Sequence, residues 1–145
     1  MTEPSHVFEG RCHCGAIAVK LAFTRPAEEM QVRSCQCAFC TRHGSLTVSD
    51  PAGRAVIEVE AGQLTPYKFG TRTATSLLCA RCGVYAGVVI ADGDKLWSVA
   101  NARGLGIEAF EGRVGMQMFY EEETADERIA RRKQKWTPTE IRFKL

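Results

Sequence analysis

Seven cysteines stand in three tight groups, Cys12-x-Cys14, Cys35-x-Cys37-x-x-Cys40 and Cys79-x-x-Cys82, and the chain has no others. Such clustering is the pattern of thiolate metal sites. A closed structural site takes four protein ligands, whereas a working site often takes three and leaves one position for water or substrate. Seven thiols therefore divide into one closed site and one open one.

Disulfide and redox uses of these cysteines fit less well. An odd number leaves one thiol unpaired, Cys-x-Cys neighbours bridge only with strain, and a redox Cys-x-x-Cys leaves the other two groups unexplained. The opening residues Met1-Thr-Glu-Pro-Ser-His show no basic stretch followed by an apolar run, so the expected location is the cytoplasm, where thiols stay reduced.

The chain has 145 residues, 45% of them hydrophobic and 25% charged, which predicts a single soluble domain over 1–145 with its own core. No apolar run is long enough to span a bilayer. A net charge of +2, from 19 basic and 17 acidic residues, gives no field that argues for nucleic acid.

Alternation dominates the local pattern and predicts strands. Ile17, Val19, Leu21 and Phe23 share one face, and Ala55, Ile57 and Val59 repeat the arrangement. Met30, Val32 and Ser34 read as a short strand leading into the second cysteine group. Further strands are expected at 67–69, 73–78, 84–91 and 95–100, with Ile141, Phe143 and Leu145 as a last one. Closely spaced turn residues favour a mainly β, antiparallel domain over alternating βαβ units. His6 falls in an irregular start. Gly104, Gly106, Gly112 and Gly115 read as a flexible connection, with no phosphate-loop pattern.

One segment reads as helix. Thr124 and Glu127 form a capping-box pattern before Ala125 to Lys135, and the helix stops at Trp136-Thr137-Pro138. Its Arg128, Arg131, Arg132, Lys133 and Lys135 read as a solvated charged face, since no aromatic residues interleave with them.

In a strand, residues i and i+2 face the same way, so Cys12 and Cys14 can approach one ion, with Cys79 and Cys82 completing it from a Cys-x-x-Cys-Gly turn. Such a site is full and structural. Cys35, Cys37 and Cys40 would hold a second ion with one position open, suited to a sulfur donor. Arg33, Arg42 and His43 lie close by in sequence as possible contacts for an anionic thiol. Trp97 is best explained by core packing, Asn101 offers a hydrogen bond to a substrate carboxylate, Phe39 either walls the open site or packs beneath it, and His13 points away from the metal.

Gly10-Arg11-Cys12-His13-Cys14-Gly15-Ala16-Ile17, the block from Cys35 to Gly44 and Leu78-Cys79-x-x-Cys82-Gly83 together resemble the glutathione-dependent formaldehyde-activating enzyme family, which includes the centromere protein V domain. The motif order matches over about residues 8 to 101. Gln36 and Ala38 stand where the family often has His and Ser, and Leu77-Leu78 replaces a commoner Arg-Phe. The resemblance implies a largely antiparallel fold of the β-tent type and two zinc ions. Cys12, Cys14, Cys79 and Cys82 would hold the structural one, and Cys35, Cys37 and Cys40 the catalytic one.

It also implies a carbon-sulfur lyase-type activity that joins glutathione, or a similar thiol, to formaldehyde or another small aldehyde. Arg42 and His43 are then the candidate contacts to the thiol. The non-enzymatic alternative is a zinc-stabilised scaffold that binds a thiol or a protein without turnover.

Overall fold

The computed structural model describes residues 3–145; Met1 and Thr2 of the expected 1–145 domain lie outside the described residues. Where apolar side chains alternate, the chain is a strand with that face buried. β2 (Ile17–Phe23) and β5 (Arg54–Val59) pair antiparallel, and Ile17, Val19, Leu21, Phe23, Ala55, Ile57 and Val59 are all buried. β1 (His6–Arg11) covers the other edge of β2, with His6 opposite Phe23, so His6 begins a strand and not an irregular start. Its own alternation is weak because the strand lies at an edge with one face exposed.

The remaining strands are β3 (Arg33–Cys35), β4 (Thr47–Val48), β6 (Leu64–Tyr67), β7 (Thr75–Cys79), β8 (Tyr85–Asp92), β9 (Lys95–Asn101), β10 (Met116–Met118) and β11 (Thr137–Phe143). β9 is the branch point. One edge pairs with β8, which continues to β7 and β6; the other is shared between β11 and β4, which continues to β3 and β10.

The expected antiparallel sheet is mixed. β11 runs parallel to β5, and β10 parallel to β3. Antiparallel pairing follows naturally from short hairpins, but β10 and β11 reach their partners after long excursions that impose no such direction.

Several strand boundaries also differ, among them that of β11, which starts at Thr137 and ends at Phe143, before Leu145. Phe69 lies beyond β6, in a turn closed by the Arg72 N–H donating to the Phe69 carbonyl at 2.9 Å. Met30 and Val32 are buried but precede β3, because Ala27–Glu29 forms a single 3-10 turn just before them.

The glycine-rich stretch read as flexible is pinned. Leu105, Ile107 and Phe110 are buried in the main core, and the Arg11 N–H donates to the Leu105 carbonyl at 2.8 Å.

The expected helix is present as α2 (Ala125–Lys135), and α1 (Ala38–His43) is an additional short helix inside the second cysteine group. α2 starts on a complete capping box: Thr124 Oγ1 accepts from the Glu127 N–H at 3.2 Å, and Glu127 Oε1 from the Thr124 N–H at 2.9 Å. Basic residues in its last turn complement the helix dipole, and Pro138 drives Thr137 into extended backbone where β11 begins. A second apolar cluster of Ile90, Val99 and Trp136, with Val88 and Trp97 against it, seats the end of α2 on β8 and β9. Trp97 is thus a packing residue.

Among the described residues, no helix is long and apolar enough to cross a membrane.

Candidate active site

The four distant cysteines converge through two turns. Cys12 and Cys14 lie just past the end of β1, in a turn closed by the Gly15 N–H on the Cys12 carbonyl at 3.0 Å, with Gly15 at φ 86°. The extended Cys-x-Cys expected from sequence is therefore a tight turn, and His13 projects from it into solvent. Cys79 ends β7, and the Gly83 N–H, at φ 80°, closes the second turn on the Cys79 carbonyl at 2.9 Å. Both glycines occupy left-handed backbone that side chains disfavour.

Backbone amides reach the sulfurs. The Ile17 N–H lies 3.2 Å from Cys12 Sγ and the Cys82 N–H 3.4 Å from Cys79 Sγ. Such donors suit thiolates more than thiols. A zinc tetrahedron with sulfur at about 2.3 Å has edges of about 3.8 Å. Cys12 Sγ is 3.8 Å from Cys14 Sγ, Cys14 Sγ is 3.5 Å from Cys79 Sγ, and all four ligand atoms lie within 4.8 Å of one another. Without an ion, burial pushes the Cys12 thiol up to about 11, a cost that metal coordination would remove.

Cys35, Cys37 and Cys40 form the second group, with their ligand atoms within the same 4.8 Å. β3 delivers Cys35. Cys37 is the N-cap of α1, its sulfur accepting from the Cys40 N–H at 3.4 Å, so one turn of helix sets the Cys37 to Cys40 spacing. Hydrogen bonds from the Cys35 and Cys40 thiols hold Cys37 far below the usual thiol range, while contacts with Cys35 and Cys37, together with burial, push Cys40 far above it.

All three thiols face a cleft of about 140 Å³, and none of the other four cysteines lines it. Its floor includes Val88, Val99 and Trp136. Tyr85, 2% exposed, stands beside the cysteines, and burial together with the charge near Cys40 raises its phenol well above the ordinary range. Phe39 packs in an aromatic group with Tyr67, Phe69 and Tyr85, at ring distances of 5.6, 5.0 and 4.9 Å. Phe69 and Tyr85 from this group line the cleft.

Arg42 and His43 sit on the exposed side of α1 and do not line the cleft; the His43 ring meets Phe39 in a tilted pair at 4.6 Å. Arg33 does line it, donating to Ser49 Oγ. Three more cleft arginines, Arg128, Arg131 and Arg132, come from α2, so the helix read as solvated turns part of its charged face inward. A basic run beside an aromatic helix end, Trp136, was the signal available in the sequence.

Gln36 folds back on its own strand, its Nε2 donating to the Ser34 carbonyl at 2.8 Å, and Leu77 is core.

Asn101 is no substrate contact. It is 1% exposed, accepting from the Leu46 N–H at 3.0 Å and donating to the Tyr85 carbonyl at 2.9 Å. It ties the end of β9 to the segments that carry the site. Asn101→Ala leaves both backbone groups unpaired and is expected to lower the unfolding free energy by about 2 to 4 kcal/mol, measured by urea denaturation.

A family model described as glutathione-dependent formaldehyde-activating enzyme matches residues 7–105. A crystal structure of a Rhodobacter sphaeroides protein is similar at a TM-score of 0.55 and 29% sequence identity, covering 76% of this chain and 99% of that one. No curated protein matches the chain.

Proposed function

The chain belongs to the glutathione-dependent formaldehyde-activating enzyme family, and on that premise we propose that it binds two zinc ions and adds glutathione, or a similar small thiol, to formaldehyde or another small aldehyde. The observation that carries this reading is the asymmetry of the two groups: the three-cysteine group opens onto a cleft, and the four-cysteine group does not.

Cys12, Cys14, Cys79 and Cys82 would hold the structural ion and fill its coordination. Cys35, Cys37 and Cys40 would hold the other and leave its fourth position toward the cleft. When bound there, zinc would supply Lewis acidity and favour the thiolate form of a coordinated thiol.

The surrounding residues bind and orient. The cleft arginines make the site attractive to an anionic thiol, and Val88, Val99 and Trp136 give it an apolar lining against which the rest of the ligand can pack. In the addition the sulfur forms a bond to the carbonyl carbon, the carbonyl π-bond opens, and the thiol proton ends on the new hydroxyl oxygen. No oxidant or reductant is required. Tyr85, kept protonated by its surroundings, stands as the hydrogen-bond donor to that oxygen.

Zinc-loaded protein mixed with glutathione and a panel of aldehydes is expected to form the hemithioacetal faster than the spontaneous reaction, followed by loss of free thiol. Tight glutathione binding with only the spontaneous rate would replace catalysis by the scaffold reading.

A further inference from the structure

Arg132 is the one α2 residue that is buried, at 9% exposure, and it lines the cleft. Its Nη1 donates to Thr73 Oγ1 at 2.7 Å and its guanidinium lies 5.2 Å from the centre of the Trp136 ring. Its Nε has no partner, and among the described residues no carboxylate pairs with it. Buried guanidinium groups normally meet an anion, because removing the charge from water is costly unless it is paired and hydrogen-bonded.

The neighbouring charges do not meet this need. Arg131 is taken by Glu123 at 2.9 Å, and Arg128 donates to the Tyr120 and Glu123 carbonyls. Three thiolates around a divalent ion would add a single negative charge. Set against that single charge, Glu121 and the Glu123 that pairs with Arg131, the four cleft arginines leave one positive charge unbalanced.

Arg132 therefore brings to the cleft wall a positive charge with no carboxylate partner, a buried Nε–H with no acceptor and the apolar surroundings of a receptor for one carboxylate. α2 lies beyond the family match at 7–105, so this wall is supplied from outside the matched segment.

Resting on the thiol-plus-aldehyde reading above, we propose that Arg132 is a specificity-determining residue that binds a carboxylate of one reacting molecule beside the three-cysteine centre. The carboxylate belongs either to the thiol or to the aldehyde, and the test separates them.

Zinc-loaded wild type and the Arg132→Met variant, which keeps an apolar stem without the charge, are compared in two arms. The thiol arm measures binding of glutathione and of its glycyl monoethyl ester by calorimetry. The aldehyde arm measures KM and kcat for glyoxylate and for formaldehyde. In one arm the wild type is expected to favour the carboxylate form by about ten- to a hundredfold, and the variant to lose that preference. The variant should change the ratio of affinity or KM between the carboxylate and the neutral partner, whereas a general structural defect would weaken both alike and leave that ratio unchanged.

Saturation-transfer NMR with acetate alone needs no turnover. A signal in the wild type that disappears in the variant supports the receptor even where the addition chemistry fails. Should Arg132→Met melt far below wild type, Arg132→Lys, which retains the charge, is expected to keep acetate binding in weakened form. Equal preferences in wild type and variant in both arms, or acetate binding unchanged by either substitution, overturn the proposal.

Discussion

Cys79→Ser is expected to leave the chain without a cooperative fold at 25 °C, as read by far-UV circular dichroism and by loss of a melting transition. Cys79 is 2% exposed at the end of β7 and meets Cys14, which is 65 residues away in sequence, at 3.5 Å. An ion at this group closes a long loop and joins the turn after β1 to the turn before β8. Structural zinc in small domains contributes about 10 to 16 kcal/mol of apparent folding free energy at neutral pH, and a domain's whole stability is about 5 to 15 kcal/mol. Serine preserves the size of the side chain but is a poor ligand for a soft site, and it leaves three buried or half-buried thiols around an incomplete one. Metal analysis of the wild type should return two zinc ions per chain. A Cys79→Ser protein that melted with the wild type would remove the structural role from this group.

Cys37→Ser is expected to do the opposite, leaving a folded domain that no longer accelerates thiol addition. The position is favourable for the fold because Cys37 is the N-cap of α1, and serine is itself a preferred N-cap that can accept the same Cys40 N–H. The centre, however, would drop to two thiolates. Loss of an outer-shell partner of a metal ligand already costs ten- to a hundredfold in affinity or activity, so removal of a ligand is expected to cost more than about a hundredfold. The measurement pairs the rate of hemithioacetal formation with the melting temperature. Two variants with the same defect, whether both unfolded or both inactive but stable, would erase the proposed division of labour.

The sequence was most legible where one physical constraint acted locally. Alternation gave β2 and β5 because a half-buried strand must hide every second side chain, and the capping box gave α2 to the residue because its two hydrogen bonds are formed within four positions. The cysteine spacings were legible because tight turns confine where their sulfurs can go. α1 escaped because six residues show no helical period, and its cap is a cysteine already assigned to metal. The parallel pairings of β10 and β11 escaped because direction is set by packing across the whole sheet.

The cleft cations show the same limit. Arg42 and His43 are neighbours of the three-cysteine group in sequence but lie outside its cleft, whereas Arg128, Arg131 and Arg132 reach it from α2. Charge alone gives a helix no inward face. Trp136 packs with Val99 and Ile90, and Arg132, 5.2 Å from the centre of its ring, lines the cleft beside it.

β11 fills the gap between β5 and β9, two strands made long before it. During synthesis the last ligand of the four-cysteine group, Cys82, leaves the ribosome more than fifty residues ahead of β11. Metal can therefore fasten the two turns while the sheet still has an open slot. The slot closes only when β11 arrives, and α2, which directly precedes it, arrives at the same moment with the arginines of the cleft. If the four-cysteine group takes an ion on emergence, assembly would have a built-in order in which the two turns are joined early and the three-cysteine group acquires its arginine-bearing wall last.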